Sequence, residues 1–150
     1  MGLNEWSDLD LEGMVFRIAL DFDGTLADHE YPRIGKTAPG AVEWVKKWKA
    51  AGALIILWTM RSGDFLVDAV NWCHDRDIKL DSINAGIGDR SWTDSDKAYA
   101  NVYVDDAAFG CPLIENNKTG GRPMVDWSIV GPGVLKMIQE HEARRVSNGS

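Results

Sequence analysis

The chain has no apolar run long enough to cross a bilayer, which takes about 20 residues. It has no basic surplus either: 16 Lys and Arg stand against 23 Asp and Glu, a net charge of -7. A general nucleic-acid binder needs a basic face, so that class is not expected. Its 2 cysteines, Cys73 and Cys111, lack metal-type spacing. Cys73 falls among helix-pattern residues and reads as a reduced core thiol. Met1 to Gly13 is polar and acidic, unlike a secretory leader. It reads as a flexible lead-in with Trp6 and Leu11 as docking points. The sequence has no internal repeat and no sign of a second domain. A cytoplasmic, single-domain protein is therefore expected, its 150 residues enough to bury about two thirds of the unfolded surface.

What the chain does have is an alternation of apolar runs and amphipathic stretches. Met14 to Asp21 and Ala53 to Trp58 read as buried strands. Asp77 to Ile83 is a weaker strand, and Asn101 to Val104 a further one. Helices are predicted from Pro39, placed at a first helical turn, to Gly52 as a C-cap, and from Asp64 to Arg76. A short helical turn is expected within Asp94 to Ala100, and a last helix opening at Gly131-Pro132. Ala107 to Trp127 reads as irregular, with part of it pairing as a short strand. The domain is placed at residues 14–143, with 144–150 a frayed tail. Strands alternating with helices give an α/β fold, a three-layer α/β/α sandwich around a Rossmann-like, mostly parallel sheet. The 7 tryptophans are assigned mainly to packing.

The polar residues fall at strand ends. The first strand ends in Asp21 and Asp23, the second in Thr59 and the fourth in Asp105 and Asp106, with Lys97 just before the fourth. In a parallel sheet with right-handed crossovers these ends share one edge, where ligands bind. Carboxylates at contact distance repel unless a cation sits among them. Hard oxygen donors suit Mg²⁺, held by a few carboxylates together with substrate phosphate. A carboxylate can attack phosphorus to give an aspartyl-phosphate. A second acid two residues on can protonate the leaving oxygen and then activate water. Thr59 and backbone N–H groups from Phe22 to Thr25 can hydrogen-bond the phosphoryl oxygens.

Asp21-Phe22-Asp23-Gly24-Thr25 resembles the first motif of the haloacid dehalogenase-like superfamily of phosphohydrolases. Thr59, Lys97 and Asp105-Asp106 resemble its second, third and fourth motifs, in order. His29 to Gly35 and Leu57 to Arg61 are similar to a small bacterial and phage-type branch. The resemblance implies a Mg²⁺-dependent phosphatase with Asp21 as nucleophile and metal ligand. It makes Asp23 the general acid/base and a metal ligand through its backbone carbonyl. Thr59 and Lys97 would hold the phosphoryl group, and Asp105 would be the fourth-motif metal ligand, with Asp106 contributing directly or through water. The acid at position 23 sides with phosphatases and phosphomutases.

Residues 22–58 and 60–96 are used up by one helix, one strand and loop each, so no cap domain is expected and the cleft should be open. Arg61, then Arg33 and Lys36, are candidates to bind a substrate anion, against a solvated surface role. Tyr31 is a further candidate for substrate contact. Trp58 is assigned to packing on the sheet, and His74 to a helix surface. The partner is a phosphorylated substrate of open type, with no membrane and a homo-oligomer as one way to cover the site. The competing readings are a phosphotransferase or phosphomutase of the same family, which needs water excluded, and a receiver-like phospho-acceptor, whose acceptor would follow the third strand.

Overall fold

A computed structural model describes residues 14–88, 90–116 and 120–149, with side chains to Ser147. The lead-in with Trp6 and Leu11, and Asp89, lie outside them. The two apolar runs form the middle of the sheet. These are β1 (Arg17–Leu20) and β2 (Leu54–Leu57), paired in parallel with Ile18 opposite Ile55 and Leu20 opposite Leu57. β3 (Ser82–Ile83) adds to β2, and β4 (Val102–Val104) adds to the other side of β1. The order is β3-β2-β1-β4, all parallel, giving a Rossmann-like α/β sandwich with the sheet flanked by helices.

α1 (Ala41–Ala50) and α2 (Gly63–Asp75) follow β1 and β2. Pro39 does not open α1. Gly40 caps it with φ of 82°, a left-handed conformation that leaves Pro39 outside the helix. α3 (Trp127–Gly149) begins earlier than Gly131-Pro132, and Pro132 lies inside it. Asp126 starts this helix. Its carbonyl accepts the N–H groups of Ile129 and Val130, and its Oδ1 accepts that of Ser128 at 3.0 Å. The expected frayed tail from residue 144 is instead the last turns of α3. No helical turn forms over Asp94 to Ala100. The Tyr103 hydroxyl donates to Ala98 O of that segment at 2.6 Å, and Asn101, which follows it, donates its N–H to Arg17 O at 2.8 Å. Part of the 107–127 stretch pairs as expected, as an antiparallel ribbon of β5 (Leu113–Ile114) and β6 (Met124–Val125).

One face of the sheet carries Ile18, Leu20, Ile55 and Leu57 into a single apolar cluster with residues from α1, α2 and α3, including Val45, Trp48, Ala69, Trp72 and Ile138. The alternate residues Ala19 and Ile56 are buried on the other face. There the long connection from β3 to β4 runs, its Ile87 carbonyl bonded by Arg17 Nη2 at 3.5 Å. Trp48 and Trp127 are fully buried with ring centroids 5.0 Å apart. Trp127 Nε1 donates to Thr25 O at 2.8 Å, and Val125 N–H donates to Gly24 O at 3.0 Å. These two bonds fix the loop after β1 from behind. Cys73 is a buried free thiol, pushed up to about 12 by burial, with Arg76 opposing the shift. Among the described residues no helix is long and apolar enough to cross a membrane.

Candidate functional site

The chain leaves β1, builds β2 and β3 on one side, then crosses back to place β4 on the other. The topological switch point therefore lies between the carboxyl ends of β1 and β4, the usual ligand crevice of an open α/β sheet. Asp21 follows β1 and Asp105-Asp106 follow β4. Asp21 N–H donates to Val104 O at 3.0 Å, so the parallel ladder runs one residue past the strands and sets the acids side by side. Carboxylate oxygens of Asp21, Asp105 and Asp106 all lie within 4.8 Å of one another.

The turn after β1 is wound tightly around Phe22 O, which accepts the N–H groups of Thr25, Leu26 and Ala27. This puts Thr25 under Asp21. The Thr25 hydroxyl donates to Asp21 Oδ2 at 2.8 Å and accepts from Asp106 N–H at 3.3 Å. Asp21 is pushed up to about 8. Burial is the largest cause, Thr25 opposes it by hydrogen-bonding the ionised form, and the neighbouring Asp105 and Asp106 carboxylates add to the rise. His29 Nε2 lies 3.2 Å from Asp106 Oδ2, bracing the cluster from the far side.

Gly24 allows this closeness. It has φ of +81°, and a Cβ there would lie 2.2 Å from the His29 ring and 2.8 Å from Asp106 Cγ. Gly24→Ala is expected to cost about 1–2 kcal/mol and to displace His29 from Asp106. A thermal melt checks it, and an unchanged Tm would mean the turn absorbs the methyl group freely.

Two cavities of about 520 Å³ each open beside the acids, sharing Asp21, Thr59, Met60 and Asp105. One adds Asp23, His29, Tyr31, Arg61, Asp106 and Arg122; the other adds Trp58, Asn84, Arg90 and Asp96. Thr59 lines both cavities and stands at their junction. Its N–H donates to Asn84 Oδ1 at 2.8 Å, and its Oγ1 accepts Arg61 N–H at 3.1 Å, leaving the hydroxyl proton to donate. Met60 at the rim is 97% exposed, so the cleft is open on that side.

Lys97, Arg61, Arg33 and Lys36 are placed differently from expectation. Lys97 is not brought to the cleft. Its ammonium lies 5.2 Å over the Tyr103 ring, on a separate small pocket lined also by Arg17 and Tyr99. Arg90 is the cation from that region that lines a cavity with Asp21. Asp23 lies outside the carboxylate triad, because both its oxygens accept from Arg61, at 2.8 Å from Nε and 2.8 Å from Nη2. Arg61 itself is buried and committed, so it is not a free anion binder. Arg33 and Lys36 line a neighbouring cavity of about 680 Å³ with Asp28 and Glu30, outside the acid cleft. Tyr31 is 59% exposed at the cleft and Trp58 half-buried along it, while His74 is on the exposed face of α2. His29 has only a weak claim from the sequence, and Arg90 is not among the sequence candidates, yet both line the cavities beside Asp21. Their signal was proximity alone: His29 follows Gly24 within one tight turn, and Arg90 lies in the glycine-rich loop after β3.

Fold and site together define a parallel α/β protein with a carboxylate cluster at its switch point. No family model and no curated protein matches the chain. It is similar to a solved structure from Bacteroides thetaiotaomicron, described as a conserved protein, at 32% identity and a TM-score of 0.67. The match covers 83% of this chain and 93% of that one, so the chain belongs to the same family as that conserved protein.

Proposed function

We propose that the protein is a haloacid dehalogenase-like phosphatase that hydrolyses phosphomonoesters through an aspartyl-phosphate on Asp21. The observation that carries this reading is the convergence of Asp21, Asp105 and Asp106 within 4.8 Å at the switch point. The motif resemblance and the placement of Thr59 support it. The donor set is three hard carboxylates, and their proximity adds to the rise of Asp21 to about 8. A divalent cation would relieve that strain and keep Asp21 ionised, so the residues fit Mg²⁺. Asp21, Asp105 and Asp106 would hold it, along with the Asp23 backbone carbonyl that the resemblance assigns. When bound it supplies positive charge against the phosphoryl oxygens.

An Asp21 carboxylate oxygen attacks phosphorus, forming the Asp21–phosphorus bond as the ester oxygen–phosphorus bond breaks. Asp23 gives its proton to the leaving oxygen. It then takes a proton from the water that attacks the phosphoryl group, which returns Asp21 and releases phosphate. Arg61 uses one lone pair on each Asp23 oxygen, and a carboxylate has others free for this transfer. The Thr59 hydroxyl donates to a phosphoryl oxygen, with Arg90 in place of Lys97 as the cation lining the cavity. The substrate is a phosphomonoester whose organic part occupies the open cleft. A cytoplasmic setting and a homo-oligomer that covers the cleft belong to the same reading.

The test is phosphate release from p-nitrophenyl phosphate and a panel of phosphorylated metabolites, with and without Mg²⁺. Turnover is expected with Mg²⁺ and its loss on adding EDTA. A stable phosphoprotein without phosphate release would replace this reading with the receiver-like one.

A further inference from the structure

Arg61 is the most completely engaged polar side chain in the region of the cleft. It is 2% exposed. A guanidinium has five N–H donors in a rigid fork, and here each has an acceptor. Nε and Nη2 donate to the two oxygens of Asp23 at 2.8 Å each. The other Nη2 donor goes to Arg33 O at 2.9 Å, and Nη1 donates to Pro32 O at 2.9 Å and Phe65 O at 3.3 Å. Its Cζ lies over two rings, 5.2 Å from the Phe22 centroid and 5.1 Å from that of Tyr31. One side chain thus joins the turn after β1, the 28–36 loop and the start of α2.

This wiring leaves no donor for a substrate anion. It does leave a definite task. Asp23 is on a tight turn with 20% of its side chain exposed, and a lone carboxylate there could rotate freely about χ1 and χ2. A bidentate fork removes that freedom, because two parallel N–H···O bonds fix both the direction and the plane of the carboxylate. The fork is in turn fixed by three backbone carbonyls, which do not move independently of the fold. Proton transfer depends steeply on such alignment.

Resting on the phosphatase reading above, we propose that Arg61 is a positioning residue. It holds the Asp23 carboxylate in the orientation from which it transfers protons, and it does not bind substrate. The 28–36 loop is then coupled to the same step, since its Pro32 and Arg33 carbonyls hold the fork.

The experiment is a double-mutant cycle on Mg²⁺-supported hydrolysis of p-nitrophenyl phosphate, using wild type, Arg61→Gln, Asp23→Asn and the double variant. Positioned acid–base groups contribute about 10²–10⁴-fold. Arg61→Gln is therefore expected to lower kcat about 100-fold with KM changed less than about threefold. Asp23→Asn should lower kcat at least as much, and the double variant should match Asp23→Asn alone within about threefold, because residues acting through one group are not additive. Arg61→Lys keeps the buried charge and one contact to Asp23, and should recover part of the loss. It serves in the same cycle if Arg61→Gln does not fold, as judged by near-ultraviolet circular dichroism. Losses that multiply in the double variant would overturn the proposal, as would a rise in KM with kcat kept. If wild type is active and the losses multiply, only the Arg61 role falls. If wild type hydrolyses none of the panel, the phosphatase reading itself falls and takes the Arg61 role with it.

Discussion

Asp21→Asn is expected to lower kcat for p-nitrophenyl phosphate by at least about 1,000-fold, the scale of losing a covalent nucleophile. The amide keeps the size of the side chain and can still accept the Thr25 hydroxyl that reaches Asp21 Oδ2 at 2.8 Å. Its new NH₂ group would face Asp105 and Asp106, the two acids that crowd Asp21. The variant should therefore fold at least as well as wild type while being unable to form the aspartyl-phosphate. Asp21→Glu is the companion. It keeps the charge but moves the attacking oxygen by one methylene, and near-attack geometry does not tolerate such a displacement. Acid quench of the wild type with labelled substrate should trap label on the protein, and neither variant should retain it. Full activity in Asp21→Asn would overturn the mechanism.

The sheet was legible because its central strands carry their burial on both faces. Ile18 to Leu20 and Leu54 to Leu57 are continuous apolar runs of the kind only a covered parallel strand needs. The helix starts were harder to read. Pro39 and Gly131-Pro132 look like openings by composition, yet the true starts depend on a left-handed Gly40 and on the Asp126 side chain. Gly131 is required inside α3 for a reason no periodicity carries: a Cβ there would lie 2.3 Å from the Trp44 ring. The Asp94 to Ala100 segment forms no helical turn; the Tyr103 hydroxyl bonds Ala98 O within it, and the following Asn101 is tied to Arg17 in β1.

The candidate site divides the same way. Asp21, Asp105 and Asp106 were readable because each follows a strand, and strand ends of a parallel sheet share one edge. Thr59 was readable for the same reason. Lys97 was placed by its position just before β4 and by motif resemblance, and the connection that carries it turns it toward Tyr103. The Arg61–Asp23 pair links positions 38 apart in sequence, and nothing local announces it. The only hint is that Arg61 lies two residues past Thr59, close enough to the same edge to reach the turn after β1.

The pH dependence of stability should expose the strain at Asp21 directly. Its carboxyl is raised from 3.8 to about 8, so the folded state binds a proton that the unfolded state releases. The sign follows from linkage: for a raised acid, the favourable contribution is complete below pH 3.8 and is lost as pH rises through about 8. The metal-free protein should therefore lose stability across that window. At about 1.4 kcal/mol per pKa unit the full shift is an upper bound, and partial solvent access brings the expected loss to about 3 kcal/mol. Asp21→Asn removes the titrating group, so the difference between wild type and variant isolates its share. The two should have similar stability near pH 4 and the variant should be more stable near pH 8. Urea denaturation in EDTA at several pH values measures it. Adding Mg²⁺ at pH 8 should reverse the loss in wild type, because a cation among Asp21, Asp105 and Asp106 stabilises the ionised cluster that folding brings together. The variant, with one carboxylate fewer, should gain much less. Parallel stability curves for wild type and variant in EDTA would mean that Asp21 is not strained. A Mg²⁺ response equal in both would mean that Asp21 is not a ligand.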